Sequence, residues 1–298
     1  MTPRLSDALS RAHALLDRLY WRSIVKDLAW RFGYTIHRID PVDRSDGQRE
    51  NPYADQVRIA RFAASNRPLI VFDVGANIGQ TVQKYREVSA DAMIHSFEPL
   101  PKAFRQLKVV ADNDGRTRAN PFALYSSVGR REFLSNRGGA NQTSSFLPPA
   151  RDVGYSYPEH LFELYERIEV ETQTVDAYCL EHGITNIDIL KADVQGTELE
   201  VFKGAEQMLA RGAVAVAYVE ILFAPVYENN PLYHEAATFM EQHGMDLFRI
   251  YLMNHGTAGR HVGGDAVFVE RKLLRRFLEA RSQEHAERMR IEKHAAIG

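Results

Sequence analysis

The stretch Val71-Phe72-Asp73-Val74-Gly75-Ala76-Asn77-Ile78-Gly79 constrains this chain more than any other, together with His95-Ser96-Phe97-Glu98-Pro99 about one β-α unit later. An apolar strand runs into an acid and a glycine turn that opens a helix, and the next strand ends in a carboxylate. Glycines at such a turn let the backbone pass close to a ligand where a Cβ would collide. A carboxylate at the end of the second strand accepts both ribose hydroxyl protons, so the pair predicts a pocket for a nucleoside cofactor. A dinucleotide pyrophosphate wants bare backbone N–H groups at a helix start, served by Gly-x-Gly-x-x-Gly. Here Asp73 precedes the first glycine by two residues and Asn77 occupies the turn. An acid there repels a pyrophosphate and suits a cationic amino-acid moiety such as that of S-adenosylmethionine (SAM).

Beyond that turn, strands and helices alternate, which predicts an α/β chain with a doubly wound, mainly parallel sheet covered on both faces. Strands are expected near 69–74, 92–97, 118–124, 187–192, 214–221, 246–252 and 265–270, and helices near 79–88, 101–112, 197–210 and 232–243. The connection 125–186 is far longer than an ordinary crossover and reads as an insertion, with strands at 128–135 and 167–174 and a polar Gly138-Gly139-Ala140-Asn141-Gln142-Thr143-Ser144-Ser145 segment. Long polar insertions on compact scaffolds act as lids or binding loops, so Asn141, Ser144 and Ser145 are substrate candidates.

Flanking regions divide the rest. Residues 1–52 read as a helix and a linker: Leu5, Leu9, Ala12, Leu16 and Leu19 fall on one helix face, and the stretch from Asp40-Pro41 to Pro52 is polar. The apolar stripe suits packing on the domain or on a second copy in a homo-oligomer. Seven Arg or Lys against four Asp in residues 1–40 also permit weak contact with an anionic membrane surface. The domain proper is expected at 53–270, and 271–298 reads as a charged helix with a solvated face and no catalytic role.

Charge and cysteine content narrow the partners. A formal net charge of −2 over 298 residues gives no reason to expect a nucleic-acid surface and favours a small or uncharged acceptor. The single Cys179 cannot form an internal disulfide and lacks partners at metal-finger spacing. With no run of about 18 apolar residues and no signal-like N-terminus, no transmembrane segment is expected and the chain reads as cytoplasmic.

A second cluster, Ile187-Asp188-Ile189-Leu190-Lys191-Ala192-Asp193-Val194-Gln195-Gly196-Thr197-Glu198, delivers Lys191 and Asp193 to the strand edge where open α/β sheets bind ligands. Asp193 beside a glycine turn is hard to explain by packing, whereas Glu198 in the first helical turn is equally a capping acid. In Tyr218-Val219-Glu220-Ile221-Leu222-Phe223 an apolar strand is broken by one acid near its end, which marks Glu220 as a site candidate. His255 and His261 flank a glycine-containing loop and are candidates for a base or ordinary surface histidines. Tyr227 and Tyr233, near Pro225 and Pro231, line an acceptor pocket or pack against the adjoining helix.

These residues resemble the FkbM family of SAM-dependent methyltransferases. The resemblance rests on the 72–79 segment, Phe97-Glu98-Pro99, the 190–198 segment, Val201-Phe202-Lys203-Gly204-Ala205 and Gly264-Asp265-Ala266-Val267-Phe268-Val269, spanning about 53–270 in order. It departs at Gln195, where the family more often carries Glu. The resemblance implies a class I methyltransferase sheet of seven strands, the last antiparallel, and O-methylation of a hydroxyl on a sugar, glycan or polyketide-type product. Under it, Asp73, Gly75, Asn77 and Gly79 surround the methionine part of SAM, Glu98 holds the ribose, Ala123 or Leu124 lies by the adenine, and Asp193 serves the methionine end or the reacting centre. The general base is sought among Glu220, Asp193, His255 and His261; alternatively Asp193 and Glu220 hold Mg²⁺, although no spacing demonstrates a metal. A nicotinamide-dependent reductase and a catalytically silent SAM-binding interaction module are the other classes these residues allow.

Overall fold

The computed structural model describes residues 51–136, 143–157, 162, 165–256 and 259–295. The expected N-terminal helix and most of its linker, and Asn141 with the glycine-rich part of the insertion, lie outside them.

Asn51 starts the first helix, α1 (Pro52–Ala64): its side-chain oxygen accepts from the backbone N–H groups of Tyr53 and Ala54 at 3.0 and 3.2 Å, and Pro52 supplies a preset first turn. There follow β1 (Ile70–Val74), α2 (Gln80–Val88), β2 (Met93–Phe97), α3 (Pro101–Asp114) and β3 (Thr117–Asn120). The second half comprises β4 (Ala123–Leu124), β5 (Gly129–Asn136), β6 (Tyr165–Gln173), α4 (Val175–His182), β7 (Ile187–Ala192), α5 (Glu198–Lys203) and α6 (Glu206–Ala210). It closes with β8 (Val214–Leu222), α7 (Tyr233–Gln242), β9 (Met245–His255), β10 (His261–Glu270) and α8 (Arg271–Ala295).

Seven strands form one sheet in the order β3-β2-β1-β7-β8-β10-β9. All neighbouring pairs are parallel except those of β10, which runs antiparallel to β8 and β9. This is the class I methyltransferase arrangement. Because both faces are covered, the central strands read as nearly continuous apolar runs, as buried parallel strands do. Side-chain alternation splits them: Val71, Ile189 and Val216 face a core shared with α1, α2 and α8, while Phe72, Leu190 and Ala217 face one shared with α4, α5 and α6.

Three expectations change. The strand foreseen at 118–124 is broken after Asn120, where Pro121 lacks a donor, and Ala123–Leu124 joins the small sheet β4-β6-β5 built by the insertion. The helix foreseen at 197–210 is two, parted at Gly204 and Ala205; a Cβ on Gly204 would lie 2.2 Å from the Tyr125 carbonyl oxygen. Finally, α8 is not wholly solvated: Leu273, Leu274 and Phe277 are buried against the sheet layer. The helix α4 went unforeseen inside the insertion.

Candidate functional site

The chain builds β1, β2 and β3 outward and then returns to place β7 on the other flank of β1, so the C-terminal ends of β1 and β7 form the crevice where open α/β sheets take ligands. The turn after β1 is shaped by two contacts. Asp193 N–H donates to the Val74 carbonyl at 3.2 Å, and a Cβ on Gly75 would lie 1.9 Å from the Asp193 carbonyl oxygen. Gly75, at φ +76°, is thus required both by conformation and by space. Gly75 and Ala76 N–H groups both donate to the Phe97 carbonyl, at 3.1 and 3.0 Å, tying the turn to the end of β2.

Glu98 closes this frame. Its Oε2 accepts from Asn77 N–H at 2.9 Å and its Oε1 from Leu100 N–H at 2.7 Å. Burial pushes its carboxyl up to about 7, against the pull of those two N–H groups. Each oxygen keeps a second lone pair for a ligand donor.

Beside it opens a cavity of about 380 Å³, within the range of cofactor sites. One wall is the Gly75–Asn77 turn with Glu98, and an apolar wall combines Leu100, Ala123, Leu124, Phe133 and Phe146. Phe133 and Phe146 meet edge to face at 4.7 Å, so the insertion supplies much of that wall. The acids Asp193 and Glu220 with Gln195 between them also line it, as do Gln80 and Lys84, successive polar residues of one α2 face.

The acidic cluster is organised by Gln195. Its amide nitrogen donates to Asp193 Oδ1 and to Glu220 Oε2, both at 3.1 Å, and its amide oxygen accepts from the Tyr227 hydroxyl at 2.8 Å. Gln195 holds a left-handed φ of +60°, followed by Gly196 at +94°. Glu198 fixes this bend by accepting from Val194 N–H at 2.9 Å and from Gly196 N–H at 3.1 and 3.2 Å. Burial raises the Glu198 carboxyl to about 7, and Asp193 adds to the shift. Glu220 is raised well above the usual range, first by burial and then by the carboxylates of Asp193, Glu198 and Asp265, with Lys191 opposing.

Several predicted site residues sit elsewhere. Asp73 has no exposure and no place in the cavity lining; it faces the α1–α2 layer and pairs with Lys191 at 3.0 Å. Gly79, at φ +92°, opens α2 away from the cavity, where a Cβ would lie 3.2 Å from the Val110 side chain of α3. His255 and His261 face each other across the β9–β10 hairpin with rings 4.3 Å apart, both exposed and outside the cavity lining. Tyr233 packs its ring on Phe223 at 5.5 Å, in line with the packing alternative. Ser144 lines the cavity and accepts from Asn136 N–H, whereas Ser145 is fully buried, donating to the Gln195 carbonyl at 2.6 Å. For a metal, Asp193 and Glu220 do converge, but the Gln195 amide bonds to both. Among the described residues no three His, Cys, Asp or Glu side chains gather as a metal would need.

Sequence reasoning missed Gln80, Lys84, Phe133 and Phe146. The spacing of Gln80 and Lys84 on one helix face, just after the glycine turn, was a signal for the first two. The aromatic pair reaches the cavity only through tertiary folding of the insertion.

The sheet order and the ligand crevice define a class I methyltransferase fold. Residues 73–247 match the methyltransferase FkbM domain, and the chain belongs to that family. Curated relatives include the 2-O-methyltransferase NoeI of Sinorhizobium fredii, 26% identical over 161 residues, covering 53% of this chain and 65% of that protein. The 31-O-demethyl-FK506 methyltransferase FkbM of Streptomyces tacrolimicus is 29% identical over 157 residues, covering 46% of this chain and 59% of that one. The matched region thus spans somewhat under two thirds of these relatives' own lengths. Among solved structures, the Methanococcus jannaschii fibrillarin pre-rRNA processing protein aligns over 74% of this chain and 76% of its own, at 12% identity and a TM-score of 0.42.

Proposed function

We propose that this chain transfers a methyl group from SAM to a hydroxyl of a small-molecule or glycan acceptor. The observation that carries the reading is Glu98, a carboxylate oriented by two backbone N–H groups in a cavity that Asp193 and Glu220 also line. The residues fit an adenosyl amino acid: Glu98 for the ribose hydroxyls, the wall of Ala123, Leu124, Phe133 and Phe146 for the base, Lys84 for the carboxylate, and Asp193 for the ammonium. Bound there, SAM supplies a methyl carbon made electrophilic by its sulfonium. A dinucleotide pyrophosphate fits poorly, because the acids in the cavity lining would repel it.

The protein's own work is placement and proton removal. Holding acceptor oxygen and methyl carbon in line is worth effective molarities of about 10⁵ M or more. Glu220, in the cavity lining, would take the acceptor's O–H proton as the oxygen–methyl bond forms and the methyl–sulfur bond breaks, its electron pair staying on sulfur as a neutral thioether. Neither histidine at the hairpin tip is needed. Similarity to NoeI, a 2-O-methyltransferase, and to FkbM, a 31-O-demethyl-FK506 methyltransferase, supports a hydroxyl acceptor. A cytoplasmic setting belongs to the same reading, supported by the lone, buried Cys179. Among the described residues no helix is long and apolar enough to cross a membrane.

Isothermal titration with SAM and S-adenosylhomocysteine (SAH) tests the reading. Both ligands should bind the wild type, and Glu98→Ala should weaken both at least tenfold; a folded wild type that binds neither would overturn the proposal.

A further inference from the structure

A second cavity, of about 210 Å³, adjoins the first and is bounded by Tyr157, Phe162, Leu222, Val226 and Tyr227. Gln195 and Glu220 line both, so a molecule in one faces a ligand in the other across the Glu220 carboxylate. We propose that this second cavity is the acceptor site, and that it takes a neutral ring-bearing alcohol one ring wide while rejecting anionic acceptors. The inference rests on the methyl-transfer reading and goes beyond it by assigning the acceptor's place and charge.

Size comes first. The cavity is smaller than the roughly 300–1,000 Å³ of sites for drug-sized ligands, which leaves room for a single ring and its substituents. Its walls suit one with apolar faces. The rings of Tyr157 and Phe162 lie 6.4 Å apart and those of Phe162 and Tyr227 6.1 Å apart, making an aromatic run, with Leu222 and Val226 buried beside it. Aromatic faces with one polar end are how proteins hold rings that carry both C–H faces and hydroxyls.

Charge sets the selection. Asp193, Glu198 and Asp265 all act on Glu220, and Lys191, which opposes them, is paired with Asp73 at 3.0 Å. A phosphate or carboxylate on the acceptor would enter an acidic field with no cation among the described residues of the lining, whereas a neutral hydroxyl meets an acceptor for its proton. The site is also built rather than incidental, because the insertion is seated against it by two backbone hydrogen bonds and one from a side-chain hydroxyl. Ala150 N–H donates to the Val226 carbonyl at 2.9 Å, Glu228 N–H to the Pro148 carbonyl at 2.8 Å, and the Ser145 hydroxyl to the Gln195 carbonyl at 2.6 Å.

The test offers labelled SAM and, as acceptors, neutral methyl glycosides of several hexoses beside their uronic acid counterparts, which differ by one carboxylate. Label should enter at least one neutral glycoside, and at least tenfold less should enter its uronate. Phe162→Trp, which fills the cavity, and Tyr157→Ala, which removes one wall, should each cut that transfer at least tenfold while the SAH dissociation constant stays within twofold. Equal transfer to the uronate, transfer to none of the neutral glycosides, or full transfer by Phe162→Trp overturns the assignment while SAH binding stands. Failure of the folded wild type to bind SAH would instead overturn the methyl-transfer reading and this inference with it.

Discussion

Asp73 on β1 and Lys191 on β7 stand opposite each other in register, and the Lys191 ammonium reaches the Asp73 carboxylate at 3.0 Å with both side chains out of solvent. This pair lies directly beneath the ligand crevice and explains why an acid follows the apolar strand without lining the cavity. Burial opposes the charge on Asp73 and raises its carboxyl, and Lys191 works against that shift. Lys191 is in turn held above the ordinary lysine range, because Asp73 and Asp193 outweigh the burial that would lower it.

Removing one partner leaves the other buried and uncompensated, which costs about 3–5 kcal/mol. Lys191→Met should therefore lower unfolding free energy by that amount in a urea titration, and Asp73→Asn in the same chain should recover a large part of it. A Lys191→Met protein as stable as the wild type would show that the pair contributes nothing.

Gly75→Ala should be more damaging than an ordinary surface change. The new Cβ would fall 1.9 Å from a backbone oxygen, and the position has φ +76°. A left-handed conformation costs a residue with a Cβ about 1–2 kcal/mol, and overpacking against rigid backbone adds about 1–3 kcal/mol. Differential scanning fluorimetry should show a fall in Tm, and whatever folds should bind SAH weakly because Asp193 has been pushed aside. Gly115→Ala, at a similar φ of +68° with nothing within 4 Å of its Cβ, serves as the comparison that isolates the clash.

The site's legibility in the sequence followed locality. Glu98, Gly75, Asn77, Asp193 and Glu220 were visible because each is an acid or a turn residue at the C-terminal end of a strand, and strand ends are where this fold opens. Asp73 fits the same description yet points the other way. Its parity matches Val71, not Val74, and parity identifies the cavity face only once the packing of the helices is known. Lys84 shares one α2 face with Gln80 just after the glycine turn, a signal that brings it near the crevice without saying whether that face meets water or a ligand. Phe133 and Phe146 were hidden because they reach the cavity through a separate sheet, and no spacing within the insertion encodes where that sheet docks. The histidines lie outside the cavity lining, and their nearness in sequence to a glycine loop does not say which end of a hairpin they occupy.

Glu98 makes a prediction about pH. Its carboxyl is pushed up to about 7 by burial, and ribose hydroxyls bind best to the ionised form. Below pH 7 the ligand must first displace a proton, so SAH affinity should fall by up to about tenfold per unit as pH drops from 7 to 5. Glu98→Gln should bind weakly at every pH with no such slope. The free protein behaves oppositely. A carboxyl raised above its ordinary value near 4.5 contributes stability that is present below that value and lost as pH rises through about 7. SAH should consequently raise Tm more at pH 8 than at pH 6.

In the proposed reading Glu220 takes the acceptor's proton, and its surroundings in the free protein oppose the ionised form that this requires. Burial and the carboxylates of Asp193, Glu198 and Asp265 favour the protonated form in the free protein, and a protonated acid cannot accept the acceptor's proton. A cation in the adjoining cavity reverses this balance by favouring the carboxylate. SAM carries a sulfonium charge that SAH lacks, so SAM binding should release more protons than SAH binding near neutral pH. Titrations in buffers of different ionisation enthalpy would measure that difference. Glu220→Gln should abolish it, keep SAH affinity near the wild-type value, and lower kcat by about 10²–10⁴-fold, the worth of a positioned base. Gln195→Glu should act in the opposite sense: a third acid within reach of Asp193 and Glu220 retains its proton, so its destabilising effect should grow as pH rises. Identical proton release for SAM and SAH would mean that Glu220 does not sense the sulfonium, and the base would then have to be sought at Asp193.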